Sequence, residues 1–411
     1  MQAKKQTFSL TLVVLFFLFL PFERLLTFEI FGLTAKISFL FLLLLILAFL
    51  LYRPGPKITI EEKILLAFVG ISYLSAFWSI DQLRSLIIST IFLATFLGFI
   101  ALRRFLDLRT ITIVKTIIIW WGFALSLFAL WQYFADLYNL PFAFLRPEYT
   151  KTVFGFPRPQ ATFLEPLYFA NFLFLPIFFT AERIFKNKKT QPFLAPNLFL
   201  MMLVLVITLS RGAYFAFALA VLVLAIIIFI KYKNYLRRFG VAAIIGFLGI
   251  AAGVLLIFFT VPRENFSLFV THAGVADVST GESTLDRFYF SKVALSEFLK
   301  NPWGIGAGAF GALPEFEGQI STSGYQTVGN LYLEVLVEEG IIGFLLFAAF
   351  LFLLLWHLWG GVVLTKMESL IYLTIFLAIL VQAVSFSSLY ILPIWAFWAL
   401  AWRKTVEESG A

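Results

Sequence analysis

The sequence contains no cysteine, only two histidines and few charged residues. The absence of cysteine excludes disulfide bonds, cysteine-ligated zinc and a thiol nucleophile. Two histidines, His272 and His357, are too few for a histidine-rich metal site, and we predict no bound metal. Charged residues make up 13% of the 411 residues, against about a quarter in a soluble globular protein. This leaves no room for a large soluble domain.

Apolar residues are abundant instead: they make up 61% of the chain, and phenylalanine alone occurs 53 times. Several runs reach or approach the roughly 20 apolar residues that a membrane-spanning helix needs. The sequence therefore predicts an all-α polytopic membrane protein with about twelve transmembrane helices. The predicted spans are 8–21, 37–52, 63–79, 85–102, 111–134, 164–181, 193–209, 212–231, 239–261, 331–356, 367–385 and 387–402.

The distribution of lysine and arginine predicts the orientation of these spans. If the N-terminus is cytoplasmic, most of the 31 lysines and arginines fall in short cytoplasmic segments, as the positive-inside rule requires. The same rule accounts for the net charge of +8 without nucleic acid. We predict that both termini are cytoplasmic and that two long segments, about 135–163 and 262–330, are extracytoplasmic. The resulting division is helices over 1–261, the long loop over 262–330, and helices over 331–411.

The long loop contains two recognisable segments. Residues 283–301 read as an amphipathic helix, with Ser283 as the N-cap and Pro302 as the stop signal. Its apolar face, which includes Phe288, Leu295 and Leu299, is expected to rest on the membrane surface or on the helix bundle. "GIGAGAFG" over 304–311 reads either as a tight turn or as a phosphate loop. We favour the turn, since no strand precedes it.

Arg211 is the only charged residue between 198 and 230. One helix of that length would measure about 50 Å, against about 30 Å for the membrane core. We therefore predict two spans that meet at residues 210–212, with Gly212 allowing the tight turn. Arg211 either extends to the interface or binds an anion in an interior cavity.

Further charged residues lie where predicted spans begin. Arg158 precedes a span, and Glu165 with Pro166 opens it. Glu165 is either an ordinary acid at a helix N-terminus or a base at the outer membrane face. Arg287 lies on the loop helix, either as a solvated charge or as an anion ligand.

Asn330, Glu334 and Glu338 are spaced by four, so they share one stripe of the helix that follows the loop. Two acids on one membrane helix are costly unless they face a cavity or partners. Glu339 and Gly340 leave an alternative open, because an irregularity there would lift the acids toward water.

Four segments together resemble the O-antigen ligase/polymerase superfamily of bacterial membrane proteins. They follow one another in the order of that family, with its long external loop between the ninth and tenth spans. The segments are "FLEPLYFANFL" (163–173), "LSRGAYFAFALA" (209–220), "NPWGIGAGAFG" (301–311) and "GNLYLEVLVEEGIIGFLLF" (329–347).

The resemblance implies a GT-C-like, metal-independent glycosyltransferase without a cofactor. Its donor would be a glycan linked to undecaprenyl diphosphate, and it would work at the outer face of the bacterial inner membrane. In ligases of the family, arginines at positions resembling Arg211 and Arg287 are thought to hold the diphosphate, and a histidine directly before the motif asparagine is thought to be the base. Here Gly329 precedes Asn330. This departure favours a polysaccharide or O-antigen polymerase over a ligase.

The expected site follows from these residues. Arg211 and Arg287 bind the donor, and Glu165 takes the proton of the acceptor hydroxyl. Arg158, Asn330, Glu334 and Glu338 are predicted to bind substrate, with the last two as substitute bases. The partners are the donor, a glycan, lipid or protein acceptor, and membrane lipids. The alternatives are a transporter or flippase for lipid-linked glycans and an envelope scaffold.

Overall fold

The computed structural model describes residues 2–30, 33–52, 58–186, 192–261, 282–316, 326–387, 389 and 391–409. The chain is an all-α polytopic membrane protein, and each of the predicted spans contains a helix. The long helices are α1 Gln2–Phe19, α2 Ile37–Tyr52, α3 Ile60–Ser75, α4 Gln82–Phe105, α5 Leu108–Leu137, α7 Pro166–Lys186, α8 Leu194–Ile207, α9 Arg211–Lys231, α10 Leu236–Thr260, α11 Glu282–Lys300, α12 Leu331–Val363, α13 Met367–Gln382 and α14 Leu392–Ser409. The short helix α6 is Lys151–Phe154.

Seven helices in the described part of the chain are long and apolar enough to cross a membrane: Gln82–Phe105, Leu108–Leu137, Pro166–Lys186, Arg211–Lys231, Lys233–Thr260, Leu331–Val363 and Met367–Ser385. Four further apolar helices are shorter: Phe8–Phe19, Ile37–Tyr52, Leu194–Ile207 and Leu392–Trp402. The predicted loop helix over 283–301 is confirmed as α11.

A β-hairpin was not predicted. Strands β1 (Thr27–Ile30) and β2 (Leu33–Lys36) form an antiparallel hairpin directly before α2. Thr27 pairs with Lys36 at one end, and Ile30 pairs with Leu33 at the other. A single two-stranded hairpin is only marginally stable alone. With only four residues in each strand, the hairpin does not change the all-α fold class.

The chain divides into two compact units. Unit 1 comprises Met1–Phe41, Asp107–Gly281 and Gly361–Ile379, and unit 2 comprises Leu42–Leu106, Glu282–Gly360 and Leu380–Ala411. The predicted division at 262 and 331 follows membrane topology rather than packing, and it stays a prediction.

In unit 1, α10 packs closely on α8 through a glycine face. A Cβ at Gly249 would lie 2.5 Å from the backbone oxygen of Phe199, and one at Gly253 would lie 2.8 Å from that of Leu203. Membrane helices use such small residues to bring their backbones into contact, because apolar burial alone does not favour association in lipid. This contact holds α8, whose C-terminal end carries the site described below.

Unit 1 also contains an ion-pair network near the end of α7. The ammonium of Lys115 lies 2.7 Å from Glu182, and that of Lys186 lies 2.8 Å from the same carboxylate. Lys186 also pairs with Glu368. The opposite charges of these residues neutralise one another, so a structural role is enough to account for them.

Unit 2 is built on aromatic packing. The Trp395 ring of α14 lies 4.4 Å from Phe96 of α4, and Trp398 is equally buried. At the end of α4, Arg103 and Arg104 pair with the buried Glu62 at 3.1 and 2.7 Å.

His357 belongs to the same unit. It lies 4.5 Å from the Trp402 ring, and its Nδ1 is 2.7 Å from the Leu353 oxygen. Its role is therefore packing.

Candidate active site

The long apolar run around Arg211 is two helices, as predicted. Helix α8 ends at Ile207 and α9 begins at Arg211. The prediction that Gly212 makes the turn is wrong, because Gly212 lies inside α9 and Leu209 adopts the left-handed conformation, with φ of 51°. That conformation costs a non-glycine residue about 1–2 kcal/mol. Burial of the Leu209 side chain, which is 7% exposed, offsets the cost.

Arg158 holds this turn. Its Nε and Nη2 donate hydrogen bonds to the backbone oxygens of Thr208 and Leu209, at 3.4 and 3.2 Å. These oxygens lie at the C-terminal end of α8, where the helix dipole is negative and carbonyls lack partners within the helix. A cation is therefore favourable here, and Arg158 ties the segment before α7 to the turn before Arg211.

Tyr149 brings a second arginine to Arg158. The guanidinium carbons of Arg158 and Arg146 lie 5.7 and 6.0 Å from the centre of the Tyr149 ring. Cation–π attraction offsets part of the repulsion between these two like charges. Arg146 also pairs with Glu148 at 3.0 Å, and Arg158 donates its backbone N–H to the Tyr149 oxygen at 2.9 Å.

Glu165 and Arg211 belong to the same electrostatic cluster. Burial lowers the pKa of Arg158, and the charge of Arg211 lowers it further, whereas Glu165 acts in the opposite direction. Burial and the negative charge of Glu165 raise the pKa of Tyr149, so its hydroxyl stays protonated near neutral pH. Such charge effects on a pKa act over short distances. Arg211 therefore acts on Arg158, and Glu165 acts on both Arg158 and Tyr149.

Glu165 also fulfils its structural role at a helix start. Its backbone oxygen accepts the N–H groups of Tyr168 and Phe169 at 3.1 and 3.2 Å, and Pro166 is the first residue of α7. The side chain is half-buried. The helix-start role does not exclude a role as base, since its structural hydrogen bonds use the backbone oxygen.

The segment between Arg158 and Glu165 is held rigidly. The buried Gln132 side chain donates to the Ala161 oxygen at 3.0 Å and accepts the Ala161 N–H at 2.7 Å. Next to it, Thr162 donates to the Pro21 oxygen at 2.6 Å. This part of unit 1 therefore gathers three arginines, two carboxylates and a tyrosine. Arginine guanidiniums in a partly dehydrated setting bind phosphate oxygens strongly.

The other predicted site residues lie in unit 2. Arg287 is exposed on α11, and a Cβ at Gly329 would lie 3.5 Å from its Cγ. The position at which ligases carry histidine therefore contacts the stem of Arg287. Gly329 has a φ of 71°, and its N–H donates to the Ser387 hydroxyl at 2.8 Å. Any other residue would be strained at this position.

Asn330 and Glu334 follow Gly329 along the chain. The side-chain oxygen of Asn330 accepts the N–H groups of Tyr332 and Leu333 at 3.0 and 3.3 Å, so this residue caps α12. Glu334 is buried and interacts with the Ser387 hydroxyl. Its Oε2 has no hydrogen-bond partner among the residues that the structure describes.

Glu338 binds the glycine-rich segment 304–311. Its Oε2 accepts the N–H of Gly308 at 2.8 Å, and its Oε1 accepts the N–H of Phe310 at 3.2 Å. Arg84 donates to the Gly308 oxygen and interacts electrostatically with Glu338. The predicted turn is present, with positive φ at 304, 306 and 308. Its amides bind a carboxylate of the chain itself.

The predicted irregularity is found at Gly340, which has φ of 69° and ψ of −173° inside α12. Its effect was predicted wrongly: Glu334, Glu338 and Glu339 are 6%, 7% and 2% exposed, so they are not lifted toward water. The break instead frees backbone groups to pair with the glycine-rich segment. Gly306 donates to the Glu338 oxygen, and Ile341 donates to the Pro302 oxygen, both at 3.0 Å.

Gly340→Ala should destabilise the protein by several kcal/mol. A Cβ at Gly340 would lie 2.3 Å from the backbone carbon of Trp303, and the left-handed φ adds strain of about 1–3 kcal/mol. The measurement is the thermal unfolding midpoint of the purified protein in detergent. Gly360→Ala is the control, because a Cβ at that position would have no contact closer than 4 Å. Equal midpoints for the two variants would contradict the close contact.

Four residues of these clusters were not predicted: Arg146, Tyr149, Arg84 and Ser387. Arg146 and Tyr149 carried a weak signal, since "LRPEY" lies in the predicted outer segment 135–163. Arg84 and Ser387 carried none, because both depend on contacts between residues far apart in sequence. Among the described residues, no group of three histidine, aspartate or glutamate side chains is placed to hold a metal ion.

Comparison with known proteins shows which part of the chain resembles a known family. The family model described as "O-Antigen ligase" matches residues 196–348. The match includes the predicted motifs at 209–220, 301–311 and 329–347, and the motif at 163–173 lies outside it. No curated protein matches the chain. Over residues 196–348, the chain is therefore similar to the O-antigen ligase family.

Proposed function

We propose that the chain transfers an undecaprenyl-diphosphate-linked glycan to an acceptor hydroxyl at the outer face of the bacterial inner membrane. One observation supports this most strongly: Arg146 and Arg158 lie near the Tyr149 ring, and Glu165 and Arg211 interact electrostatically with Arg158 in the same unit. A diphosphate carries several negative oxygens, and planar guanidiniums bind such oxygens in pairs. The family match independently favours a lipid-linked glycan as the substrate.

The chemistry needs a phosphate site and a proton acceptor. The bond between the anomeric carbon and the diphosphate oxygen breaks, and the electron pair leaves on the diphosphate. The acceptor oxygen forms the new bond to that carbon, and its proton passes to the Glu165 carboxylate. Arg158 and Arg211 stabilise the leaving diphosphate as its charge develops. Attack opposite the leaving group inverts the anomeric centre, and the reaction needs no cofactor or metal.

Polymerase chemistry fits this chain better than ligase chemistry. The position of the ligase histidine is Gly329, and its left-handed backbone disfavours a side chain there. In a polymerase, the acceptor is a second lipid-linked repeat unit. Glu165 is then the base, with Glu334 as the second candidate because one of its oxygens lacks a partner among the described residues.

The remaining predicted residues receive narrower roles. The resemblance assigns Arg287 to the diphosphate, and this proposal rests on the motif alone. Asn330 supports substrate binding indirectly by capping α12. Glu338 is engaged by two backbone N–H groups, so we propose that it positions the glycine-rich segment. Both termini are proposed to be cytoplasmic.

Product analysis tests this function. The purified protein in detergent is incubated with a defined undecaprenyl-diphosphate-linked repeat unit and a chelator, and the glycans are analysed by mass spectrometry. We expect glycans of two or more repeat units on the lipid carrier. Transfer to a different acceptor only would indicate a ligase. Repeat units that change leaflet in reconstituted vesicles without covalent change would indicate a flippase, and either result contradicts the polymerase proposal.

A further inference from the structure

Unit 2 contains a cavity outside the clusters described above. Its volume is about 440 Å³, and it is lined by Trp78, Lys300, Asn301, Pro302, Trp303 and Gly304. It lies where the end of α11 meets the segment between α3 and α4. Nothing in the proposed transfer chemistry uses these residues.

Two tryptophans dominate the cavity, and both are exposed. Trp78 and Trp303 are 51% and 65% exposed. Large aromatic rings at a cavity opening provide apolar contact area at low entropic cost, since few side-chain torsions must be fixed.

Both tryptophans are mounted on fixed backbone. The indole N–H of Trp78 donates to the Gly304 oxygen at 3.0 Å. Trp303 lies between Pro302, whose oxygen accepts the Ile341 N–H at 3.0 Å, and Gly304, whose backbone passes close to Gly340. The rings are therefore organised before a ligand arrives, which reduces the cost of binding.

Polar groups complete the lining. Glu297 accepts a hydrogen bond from the Asn301 amide at 2.6 Å and pairs with Lys300 at 3.1 Å. An amide and an ammonium held beside aromatic rings suit a ligand that presents both C–H faces and hydroxyl groups. Saccharides have this character, and sites for small ligands combine apolar rings with a few placed polar groups in this way.

Its concave shape distinguishes the cavity from a membrane-facing surface. On α11, the exposed Phe288, Leu295 and Leu299 share one face with the exposed Lys292, as expected for an interfacial helix. The Trp78–Trp303 cavity is concave and has Lys300 and Asn301 in its lining. A saccharide therefore fits the cavity better than a lipid surface does.

We propose that this cavity is a glycan-holding subsite that binds sugar units of the growing chain away from the transfer step. Along α11, Lys300 is thirteen residues from Arg287, which corresponds to roughly 20 Å. A subsite at this distance retains a long glycan between successive transfers and so sets product length. The inference rests on the proposed function for its biological role, but saccharide binding is measurable without transfer.

The test compares Trp303→Ala with Trp356→Ala in the purified full-length protein. Trp356 is equally exposed, at 65%, and lies on α12 in the same unit. The probe is the delipidated oligosaccharide released from the host's own glycan, measured by calorimetry. We expect Trp303→Ala to weaken binding about tenfold, Trp303→Phe to recover part of it, and Trp356→Ala to bind like the parent.

In the transfer assay, Trp303→Ala should give shorter products with an unchanged rate for the first coupling. Unchanged oligosaccharide affinity in Trp303→Ala overturns the subsite. So does equal loss in both alanine variants, because that pattern indicates a general membrane-interface role. If no variant transfers glycan but only Trp303→Ala loses saccharide binding, the proposed function fails and the subsite stands.

Discussion

Arg211→Ala is expected to reduce glycan transfer roughly 100- to 1000-fold, the usual effect of removing one preorganised group that stabilises a leaving anion. Arg211 begins α9 directly after the strained Leu209 turn, and its charge acts on Arg158. Its loss leaves the neighbouring arginines to neutralise the departing diphosphate alone. The measurement is the initial rate of product formation from a defined lipid-linked repeat unit.

Two control variants separate this role from membrane insertion. Arg211→Lys keeps the charge but loses the planar fork, so it should recover little activity. Arg109→Ala removes an exposed arginine from the first turn of α5 and should retain full activity. If Arg211→Ala inserts normally and transfers glycan at the parent rate, the Arg211 side chain only extends to the membrane interface and takes no part in transfer.

Glu165→Gln is expected to slow turnover about 100-fold or more, the usual contribution of a general base. Glutamine can maintain the helix start, because the structural hydrogen bonds use the Glu165 backbone oxygen. It cannot accept the acceptor proton. Donor affinity should change little, so the effect should appear in kcat and leave KM for the donor nearly unchanged.

Glu148→Gln is the matched control for Glu165→Gln. Glu148 lies in the same cluster and pairs with Arg146, but its side chain is 47% exposed. Removing its charge should change turnover only slightly, since exposed ion pairs contribute about 0–1 kcal/mol. Parent turnover in Glu165→Gln would identify Glu165 as a helix-start residue and move the search for the base to Glu334.

The helices could be predicted because the membrane imposes one strong rule on sequence. A spanning helix needs a long apolar run, and every predicted span contains a helix. The two paired strands over Thr27–Lys36 were missed because they are only four residues long and the sequence between them lacks the Asn-Gly or Asp-Gly signal. Gly212 was chosen for the turn on residue type, but burial holds Leu209 in that conformation.

The site was predictable only in part. Charges in apolar surroundings identified Arg158, Glu165 and Arg211. Sequence spacing could not show that two arginines lie near the Tyr149 ring, or that Glu338 accepts hydrogen bonds from the glycine-rich turn. Glu338 and Gly308 are 30 residues apart, and no local periodicity records either set of contacts.

The reciprocal hydrogen bonds between Gln132 and Ala161 have a consequence for temperature dependence. They fix the segment that carries Arg158 and Glu165 during folding, so donor capture need not order it again. The activation entropy of transfer should therefore be small, and chilling should slow the reaction chiefly through its enthalpy. Gln132→Ala should make the activation entropy more negative, because the segment is no longer fixed and must be ordered during each transfer.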